Sequence, residues 1–166
     1  MLAARTGDRF AAAELYRRYA PVVHAAILMR VDTGEAEDLV QEVFLTAMRR
    51  LHQLRDPVAF GAWLLTMSRN MAAGHRRRAR LWRKHARTIA EHPRASTSDA
   101  SGLRAEDVLA AIRALPEPYR ETLALRLIAG LSGPEISLRT GLSHGSVRVN
   151  LHRGTRLLRE RLGGTP

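Results

Sequence analysis

The middle of the chain carries side chains suited to binding nucleic acid. Basic residues follow one another in His75-Arg76-Arg77-Arg78-Ala79-Arg80, and no acidic residue occurs from position 69 to position 90. Aromatic rings stack on unpaired bases while arginine side chains bind the phosphate backbone. Core packing is the alternative for the two aromatic residues, whereas a basic run without acids is atypical of a merely solvated surface. The candidate set comprises Phe60, Trp63, Arg69, Asn70, Arg76 and Arg77.

A second basic set lies on the outward face of the last predicted helix. With about 3.6 residues per turn, an apolar stripe turns inward, made of Val147, Leu151, Gly154, Leu158 and Leu162. The opposite face and its flanks carry Ser146, Arg148, Val149, His152, Arg153 and Arg156. Arginine side chains on such a face reach guanine edges or phosphates in the major groove, and valine contacts a thymine methyl group. An ordinary surface helix with solvated arginines is the alternative.

The helix predicted over 33–51 has an outward face of a different character. Its inward stripe is apolar and consists of Ala36, Leu39, Val40, Val43, Ala47 and Leu51. Its outward face carries Asp38, Gln41, Glu42, Leu45 and Arg49. A mixed acidic face with a leucine in its middle suits a protein partner better than a nucleic acid. Helix physics alone favours the other interpretation, a solvated face with one exposed leucine.

Metal and catalytic chemistry have no comparable pattern in the sequence. The chain has no cysteine, and its seven histidines include no pair four residues apart. A zinc site is therefore not predicted. No phosphate-binding glycine loop, Gly-x-Ser-x-Gly motif or isolated carboxylate pair in an apolar setting is present either. We expect no cofactor, no metal and no enzymatic activity.

The overall charge predicts a polyanionic partner. The 166 residues include 27 basic and 16 acidic side chains, a net charge of +11. Residues 69–94 alone carry nine basic residues and one acidic residue, a net of +8. A surface this basic is typical of proteins that bind nucleic acids. No apolar run approaches the roughly 18 residues that cross a bilayer, so we expect a cytoplasmic protein with no membrane insertion.

The periodicity predicts an all-α fold. Asp8 and Thr33 are candidate N-caps, Asp56 precedes a proline that suits a first turn, and Ser132 with Glu135 has the spacing of a capping box. Gly141 is suited to end a helix and Ser143 to begin the next, which makes 132–162 a helix-turn-helix pattern. Helices are expected at about 8–19, 21–30, 33–51, 56 into the arginine run, 104–115, 118–130, 132–141 and 143–162.

One polar stretch divides the chain into two predicted domains. Residues 92–102 contain no large apolar side chain, which is typical of a flexible linker. We therefore expect an N-terminal helix bundle over 1–91, a linker over 92–103 and a C-terminal helix-turn-helix domain over 104–166. Enough apolar residues are present for packed cores, since hydrophobic residues make up 45% of the chain.

Several segments together resemble the sigma factors of bacterial RNA polymerase, specifically the extracytoplasmic-function (ECF) group of the sigma-70 family. They are Ala36-Glu37-Asp38-Leu39-Val40-Gln41-Glu42-Val43-Phe44, Ala59-Phe60-Gly61-Ala62-Trp63-Leu64, Arg69-Asn70, Leu115-Pro116-Glu117-Pro118-Tyr119-Arg120, Ser146-Val147-Arg148 and Leu151-His152-Arg153. They occur in the family's order and spacing from about residue 7 to residue 162. The bundle then corresponds to sigma region 2 and the C-terminal domain to sigma region 4.

The resemblance implies three binding surfaces. Asp38, Gln41, Glu42 and Leu45 would bind the clamp helices of the largest catalytic subunit of core RNA polymerase, and region 4 would contact the flap of the second subunit. Residues from Phe60 to Arg77 would read and melt the minus-ten element, with one base flipped into a pocket bordered by the loop 52–58. Arg148, Val149, His152 and Arg153 would read the minus-thirty-five element.

The resemblance also implies how the protein acts. It would direct an enzyme without catalysing, would be a monomer when free, and would have an anti-sigma factor as a partner. A basic linker helix over about 81–91 would lead into the linker. Gly74 stands where the family commonly has an aspartate, and Arg76 stands where it often has an apolar residue. Val149 and Asn150 replace a frequent serine–arginine pair, and this replacement should alter the preference for the upstream element.

Two other functions fit parts of the pattern. A helix-turn-helix regulator that acts without polymerase would bind palindromic sites as a dimer, whereas a sigma factor binds asymmetric sites as a monomer. A polymerase-binding or RNA-binding protein that has lost promoter reading would be indifferent to alanine at Trp63 and Asn70. A membrane-surface role for the arginine run is disfavoured because the run lacks a clean apolar face.

Overall fold

A computed structural model of the chain describes residues 1–86 and 104–163. Within these ranges the regular structure is helical, which confirms the predicted all-α fold class. The helices are α1 (Leu2–Arg5), α2 (Arg9–Leu28), α3 (Thr33–Arg50), α4 (Phe60–Ala86), α5 (Ala105–Arg113), α6 (Glu117–Leu127), α7 (Gly133–Thr140) and α8 (His144–Arg161). Short 3-10 turns at Leu51–Gln53 and Pro57–Ala59 separate α3 from α4.

The N-terminal bundle is built from α2, α3 and α4, each of which packs on the other two. Asp8 caps α2 as predicted, because its carboxylate accepts hydrogen bonds from the backbone N–H groups of Phe10 and Ala11. The predicted inward stripe of α3 is buried, from Ala36 to Ala47, and Leu51 follows it in the core. Burial of these apolar side chains is the main force that holds the three helices together.

The prediction of two helices over 8–30 was wrong. The chain forms one helix of 20 residues with Pro21 in its interior. A proline there removes one backbone hydrogen bond and typically costs about 3 kcal/mol. The half of α2 that follows Pro21 is nevertheless the most buried part of the helix, with Val23, Ala25, Ala26 and Ile27 all 0% exposed. The burial of these side chains outweighs the tendency of Pro21 to begin a new helix.

Other predicted boundaries shift by a few residues. The N-cap of α3 is Asp32, so Thr33 is the first helical residue instead of the cap. Asp56 does accept a hydrogen bond from the Val58 N–H, but the element it caps is the 3-10 turn that precedes α4. The first part of the predicted linker helix, 81–86, continues α4, and its remainder lies outside the described residues.

The C-terminal domain contains the predicted helix-turn-helix in α7 and α8. Ser132 and Glu135 form the predicted capping box, and the Ser143 hydroxyl accepts a hydrogen bond from the Ser146 N–H at the start of α8. Gly141 ends α7 in the left-handed conformation, with φ of 76°. Such a φ strains any residue with a Cβ atom, so glycine suits this turn. Helix α5 ends at Arg113 and α6 at Leu127, two to three residues before their predicted ends.

The two groups of helices pack directly on each other. Helix α2 contacts α6, and α4 contacts α7. Arg113, the last residue of α5, donates hydrogen bonds to the carbonyl oxygens of Leu28 (2.7 Å) and Val31 (2.8 Å). These carbonyls lie at and beyond the end of α2, where backbone acceptors lack helical partners. The linker and the domain bounds 1–91, 92–103 and 104–166 stay predictions, since residues 87–103 lie outside the described ranges.

Candidate functional site

The predicted recognition face of α8 is a free surface. Val147, Gly154 and Leu158 are buried against the rest of the domain, and Leu151 is partly buried, so the predicted inward stripe is confirmed. The opposite face is exposed throughout, including an apolar side chain, Val149, that is 42% exposed. The exposed candidates are Ser146, Arg148, Val149, His152, Arg153 and Arg156. Helix α8 can therefore present this face to a groove of DNA.

Asn150 does not belong to that face. Its side chain is partly buried, and its amide group lies 3.5 Å from the Thr122 hydroxyl oxygen on α6, to which it donates. Of the Val149-Asn150 pair that departs from the family's pattern, only Val149 is directed to solvent.

The turn that precedes α7 is held by a strong local cap. The Ser132 N–H and hydroxyl both donate to the Glu135 carboxylate, at 2.8 and 2.7 Å. These hydrogen bonds, with smaller contributions from the charges of Arg139 and Arg18, hold the pKa of Glu135 below its usual range. The cap fixes the start of α7, against which the recognition helix packs.

The predicted partner face of α3 is also exposed. Asp38, Gln41 and Glu42 lie at the surface, and Leu45 among them is 63% exposed. A groove of about 680 Å³ runs beside this face, lined in part by Tyr16, Val40 and Ile128. An exposed leucine next to an apolar groove and flanked by acids is a surface that a second protein can cover.

The candidate residues of α4 do not form one continuous face. Phe60 is 1% exposed, and its ring lies edge-on against Tyr19 with centroids 4.9 Å apart. Trp63 is partly buried beside it, at 6.0 Å between ring centroids. Phe60 therefore packs in the core, the alternative that the sequence left open, and its contact with DNA stays an untested prediction. Asn70, Arg76 and Arg77 are exposed.

Arg69 is tied to the other domain. Its Nε donates a 2.8 Å hydrogen bond to Glu121 Oε1, and its terminal nitrogen lies 2.8 Å from the same oxygen. Arg30, two residues after the end of α2, donates to the second oxygen of Glu121 at 2.9 Å. The side chains of Glu121 and Arg30 are each 12% exposed, and that of Arg69 is 32% exposed. This ion cluster joins the turn that follows α2 to α4 and α6.

A second contact between the domains involves Arg139 of α7. Its guanidinium lies over the ring of Tyr19, 5.3 Å from the centroid, a cation–π geometry. A Cβ atom at Gly61 would lie 3.2 Å from Tyr19 Cε1 and 3.3 Å from Arg139 Cγ, so the absence of a side chain there permits the close approach.

Sequence reasoning missed Glu121, Arg30, Tyr19 and Arg139. Each is an ordinary helix residue in the sequence, and only the packing of the two domains makes it a partner. In the part of the chain that the structure describes, no group of three or more histidine, aspartate or glutamate residues is placed to hold a metal ion. Within the same residues, no helix combines the length and apolar character needed to span a bilayer.

Two known protein families match the chain in succession. Residues 15–82 match the family model of Sigma-70 region 2, and residues 105–158 match that of Sigma-70, region 4. RNA polymerase sigma factor CarQ of Myxococcus xanthus is 32% identical over 163 residues, which cover 96% of this chain and 93% of CarQ. The chain belongs to the sigma-70 family.

Further relatives place this sigma factor in the ECF group. ECF RNA polymerase sigma factor SigL of Mycobacterium tuberculosis is 32% identical over 146 residues, which cover 82% of this chain and 82% of SigL. The solved structure of sigma factor RpoE from Bartonella quintana, in complex with the anti-sigma factor NepR, has the same fold. It is 24% identical with a TM-score of 0.63, and the match covers 91% of this chain and 95% of that one.

Membership of the sigma-70 family identifies the chain as a polymerase-associated factor for promoter-specific transcription initiation. The region 2 match contains the exposed face of α3 and the aromatic and basic residues of α4. The region 4 match contains the whole predicted recognition face of α8.

Proposed function

We propose that this sigma factor binds core RNA polymerase through α3, reads the minus-thirty-five element through α8, and helps to open the minus-ten element through α4. The observation that carries this proposal is the exposure of two chemically different helix faces whose opposite sides are buried. One face is acidic with a leucine in its middle, and the other is rich in arginine.

The α3 face fits a protein partner. Asp38 and Glu42 give it negative charge, and Leu45 supplies an apolar contact at its centre. Charged rims steer association while a buried apolar centre supplies affinity. The clamp helices of the largest catalytic subunit are the partner that the resemblance implies, and region 4 would contact the flap of the second subunit.

The α8 face fits the major groove. Arg148 and Arg153 can bind guanine edges or phosphates, His152 lies between them, and Val149 can contact a thymine methyl group. Both Ser146 and Arg156 extend the same exposed face along the helix. Arginine suits such contacts because its planar fork donates two parallel hydrogen bonds.

The region 2 surface fits a melted strand. Asn70, Arg76 and Arg77 are exposed on α4, and Val58 in the preceding loop is 73% exposed. The exposed valine in the 3-10 turn before α4 and the partly buried ring of Trp63 are surfaces on which an unstacked base can rest. Arginine side chains further along α4 would hold the phosphates of that strand.

We further infer the setting in which the protein acts. It would act in the cytoplasm, because core polymerase and promoter DNA are its partners. It would be a monomer when free, and it would contribute promoter specificity and no catalysis. An anti-sigma factor would regulate it. Support for that partner comes from the fold it shares with the RpoE that was solved with NepR.

Promoter opening tests the proposal. Purified protein should direct core polymerase to start at a subset of promoters in a genomic library, and permanganate should detect unpaired thymines near minus ten. The variants Trp63→Ala and Asn70→Ala should lose permanganate reactivity while they retain upstream DNA binding. Arg161→Ala, a change to an exposed residue at the end of α8, serves as the control. The proposal would be contradicted if the wild-type protein gave no promoter-dependent initiation with core polymerase. Binding to palindromic sites without polymerase would also contradict it.

A further inference from the structure

Helix α1 is held in place by contacts outside itself. It spans only four residues, Leu2–Arg5, whereas isolated helices shorter than about 12 residues are marginal in water. The Ala3 carbonyl oxygen accepts hydrogen bonds from the Thr6 hydroxyl at 2.9 Å and from the Asp8 N–H at 3.1 Å. Ala4 is partly buried against the hydrophobic core. Helix α1 is therefore fixed to the start of α2, which Asp8 caps.

One side chain of α1 reaches the end of α3, directly before the loop 52–58. Arg5 Nε donates a hydrogen bond to the Leu51 carbonyl oxygen at 3.2 Å, across 46 positions of the chain. Leu51 is the C-cap of α3, where backbone carbonyls lack helical partners and a positive charge is favoured. The same oxygen accepts from the Leu54 N–H at 3.3 Å, the bond that closes the 3-10 turn Leu51–Gln53. Arg5 therefore supports the turn with which the loop begins.

The support from Arg5 differs in kind from the packing of the loop. Leu51 and Leu54 are buried, at 1% and 6% exposure, so their side chains anchor the first turn in the core. In the second turn, Asp56 accepts a hydrogen bond from the Val58 N–H at 2.9 Å. Hydrophobic burial is non-directional, whereas a hydrogen bond constrains the direction of the peptide group that it joins. Arg5 therefore orients a backbone that burial alone leaves free to rotate.

We propose that Arg5 is a positioning residue for minus-ten recognition. It orients the loop 52–58 through the Leu51 carbonyl and does not itself bind DNA. The proposal rests on the proposed function for the ligand, a single-stranded minus-ten element with one base flipped beside this loop. A site that selects one base needs its lining held to within about 0.5 Å, so a support outside the lining changes selectivity.

Two substitutions at Arg5 separate its hydrogen bond from its charge. The donor in the structure is Nε, which is bonded to Cδ. The amide nitrogen of a glutamine side chain is also bonded to Cδ, so Arg5→Gln keeps a donor at the same place and removes the charge. Arg5→Ala removes both. Arg9→Ala removes an equal charge from an exposed position in the first turn of α2 and is the matched control.

Hydrogen exchange of the free protein measures the support of the loop directly. Without the bond from Arg5, the turn Leu51–Gln53 should open more often. Backbone amides in peptides that cover the loop 52–58 should then exchange about two- to tenfold faster in R5A, as expected for the loss of one intramolecular hydrogen bond. R5Q and R9A should match the wild-type protein. Unchanged exchange in R5A would overturn the proposal.

Base discrimination measures the functional consequence. Each protein is assembled with core polymerase and titrated with a fluorescent single-stranded oligonucleotide that carries the minus-ten element of a promoter opened by the wild-type protein. Oligonucleotides with one base replaced give the ratio of affinities for the original and the replaced base at each position. In R5A this ratio should fall about two- to tenfold at the flipped base, whereas R5Q and R9A should keep it. A general loss of stability lowers the folded fraction and leaves this ratio unchanged.

The outcomes distinguish positioning from direct binding and from the proposed function. If Arg5 bound a phosphate, R5A and R5Q would weaken binding to all the oligonucleotides equally and make the salt dependence shallower. That result, or equal discrimination by R5A and the wild-type protein, would overturn the proposal. Neither result would affect initiation by the wild-type factor with core polymerase. Failure of that initiation would overturn the proposed function, and hydrogen exchange would still show whether Arg5 supports the loop.

Discussion

Arg69 on α4 and Glu121 on α6 are separated by 52 positions in the chain and meet at 2.8 Å across the junction of regions 2 and 4. Arg30, in the turn that follows α2, completes the contact. A residue that the sequence assigns to DNA is thus held by a carboxylate of the other domain. The tertiary structure therefore pairs a predicted DNA-binding residue with a carboxylate that the sequence did not single out.

Charge reversal on α3 should weaken binding to core polymerase. The double variant Asp38→Lys with Glu42→Lys replaces two exposed acids by bases, so electrostatic complementarity becomes repulsion. Affinity for core polymerase, measured by fluorescence anisotropy, should fall at least about tenfold. Binding of the same variant to isolated minus-thirty-five DNA should not change. Glu106→Lys, a single charge reversal at an exposed position of α5, is the control for added positive charge. Loss of both activities in the double variant would indicate misfolding.

Substitutions on α8 should separate base reading from backbone binding. If Arg153 or Arg148 contacts a guanine, its change to alanine should weaken the binding free energy for DNA by about 1–3 kcal/mol and relax specificity at one position of the upstream element. If it contacts a phosphate, binding should weaken for all sequences and the salt dependence should become shallower. Competition assays against randomised duplexes decide between the two. Equal binding by wild type and variants would remove α8 from the recognition surface.

Gly154 should be indispensable for packing within region 4. A Cβ atom there would lie 2.9 Å from Leu123 Cδ1 and 3.1 Å from Tyr119 Cβ. We expect Gly154→Ala to lower the free energy of unfolding by about 1–3 kcal/mol because α6 and α8 must move apart. Gly145→Ala on the same helix meets only Ser143 Oγ, at 3.9 Å, and should be neutral or stabilising. Thermal denaturation of both variants tests the difference.

The capping box should make part of the stability depend on pH. Ser132 holds the pKa of Glu135 below its ordinary value of 4.5, so the ionised carboxylate favours the folded state. This contribution is present above pH 4.5 and is lost as the pH falls through the lower, folded-state value. Ser132→Ala should raise the pKa of Glu135 toward its ordinary value and cost about 1 kcal/mol at neutral pH.

Urea denaturation at several pH values checks the capping prediction. The stability difference between wild type and Glu135→Gln should shrink below pH 4.5, where the wild-type carboxylate becomes protonated in the unfolded chain and then in the folded one. A difference that is constant down to acidic pH would contradict it. Glu106→Gln, at an exposed position in the first turn of α5, provides a comparison.

The local signals in the sequence were dependable where a short stretch of chain controls the outcome. Ser132, Gly141 and Ser143 act at the predicted helix ends, and the inward stripes of α3 and α8 are buried as their periodicity indicates. Pro21 and Thr33 are exceptions. Burial of the residues that follow Pro21 keeps α2 continuous, and Asp32 is the N-cap of α3 in place of Thr33. Backbone propensity competes with tertiary packing, and packing prevails when the neighbouring side chains are fully buried.

The sequence by itself determined the helical class, the caps, the faces of α3 and α8, and the resemblance to ECF sigma factors, because each follows from residue types a few positions apart. Only the tertiary structure decided that Phe60 lies in the core, that Asn150 faces α6, and that Arg69 pairs with Glu121. These outcomes depend on residues distant in the chain. Their partners are selected by how whole helices pack, and no periodicity or spacing encodes that choice.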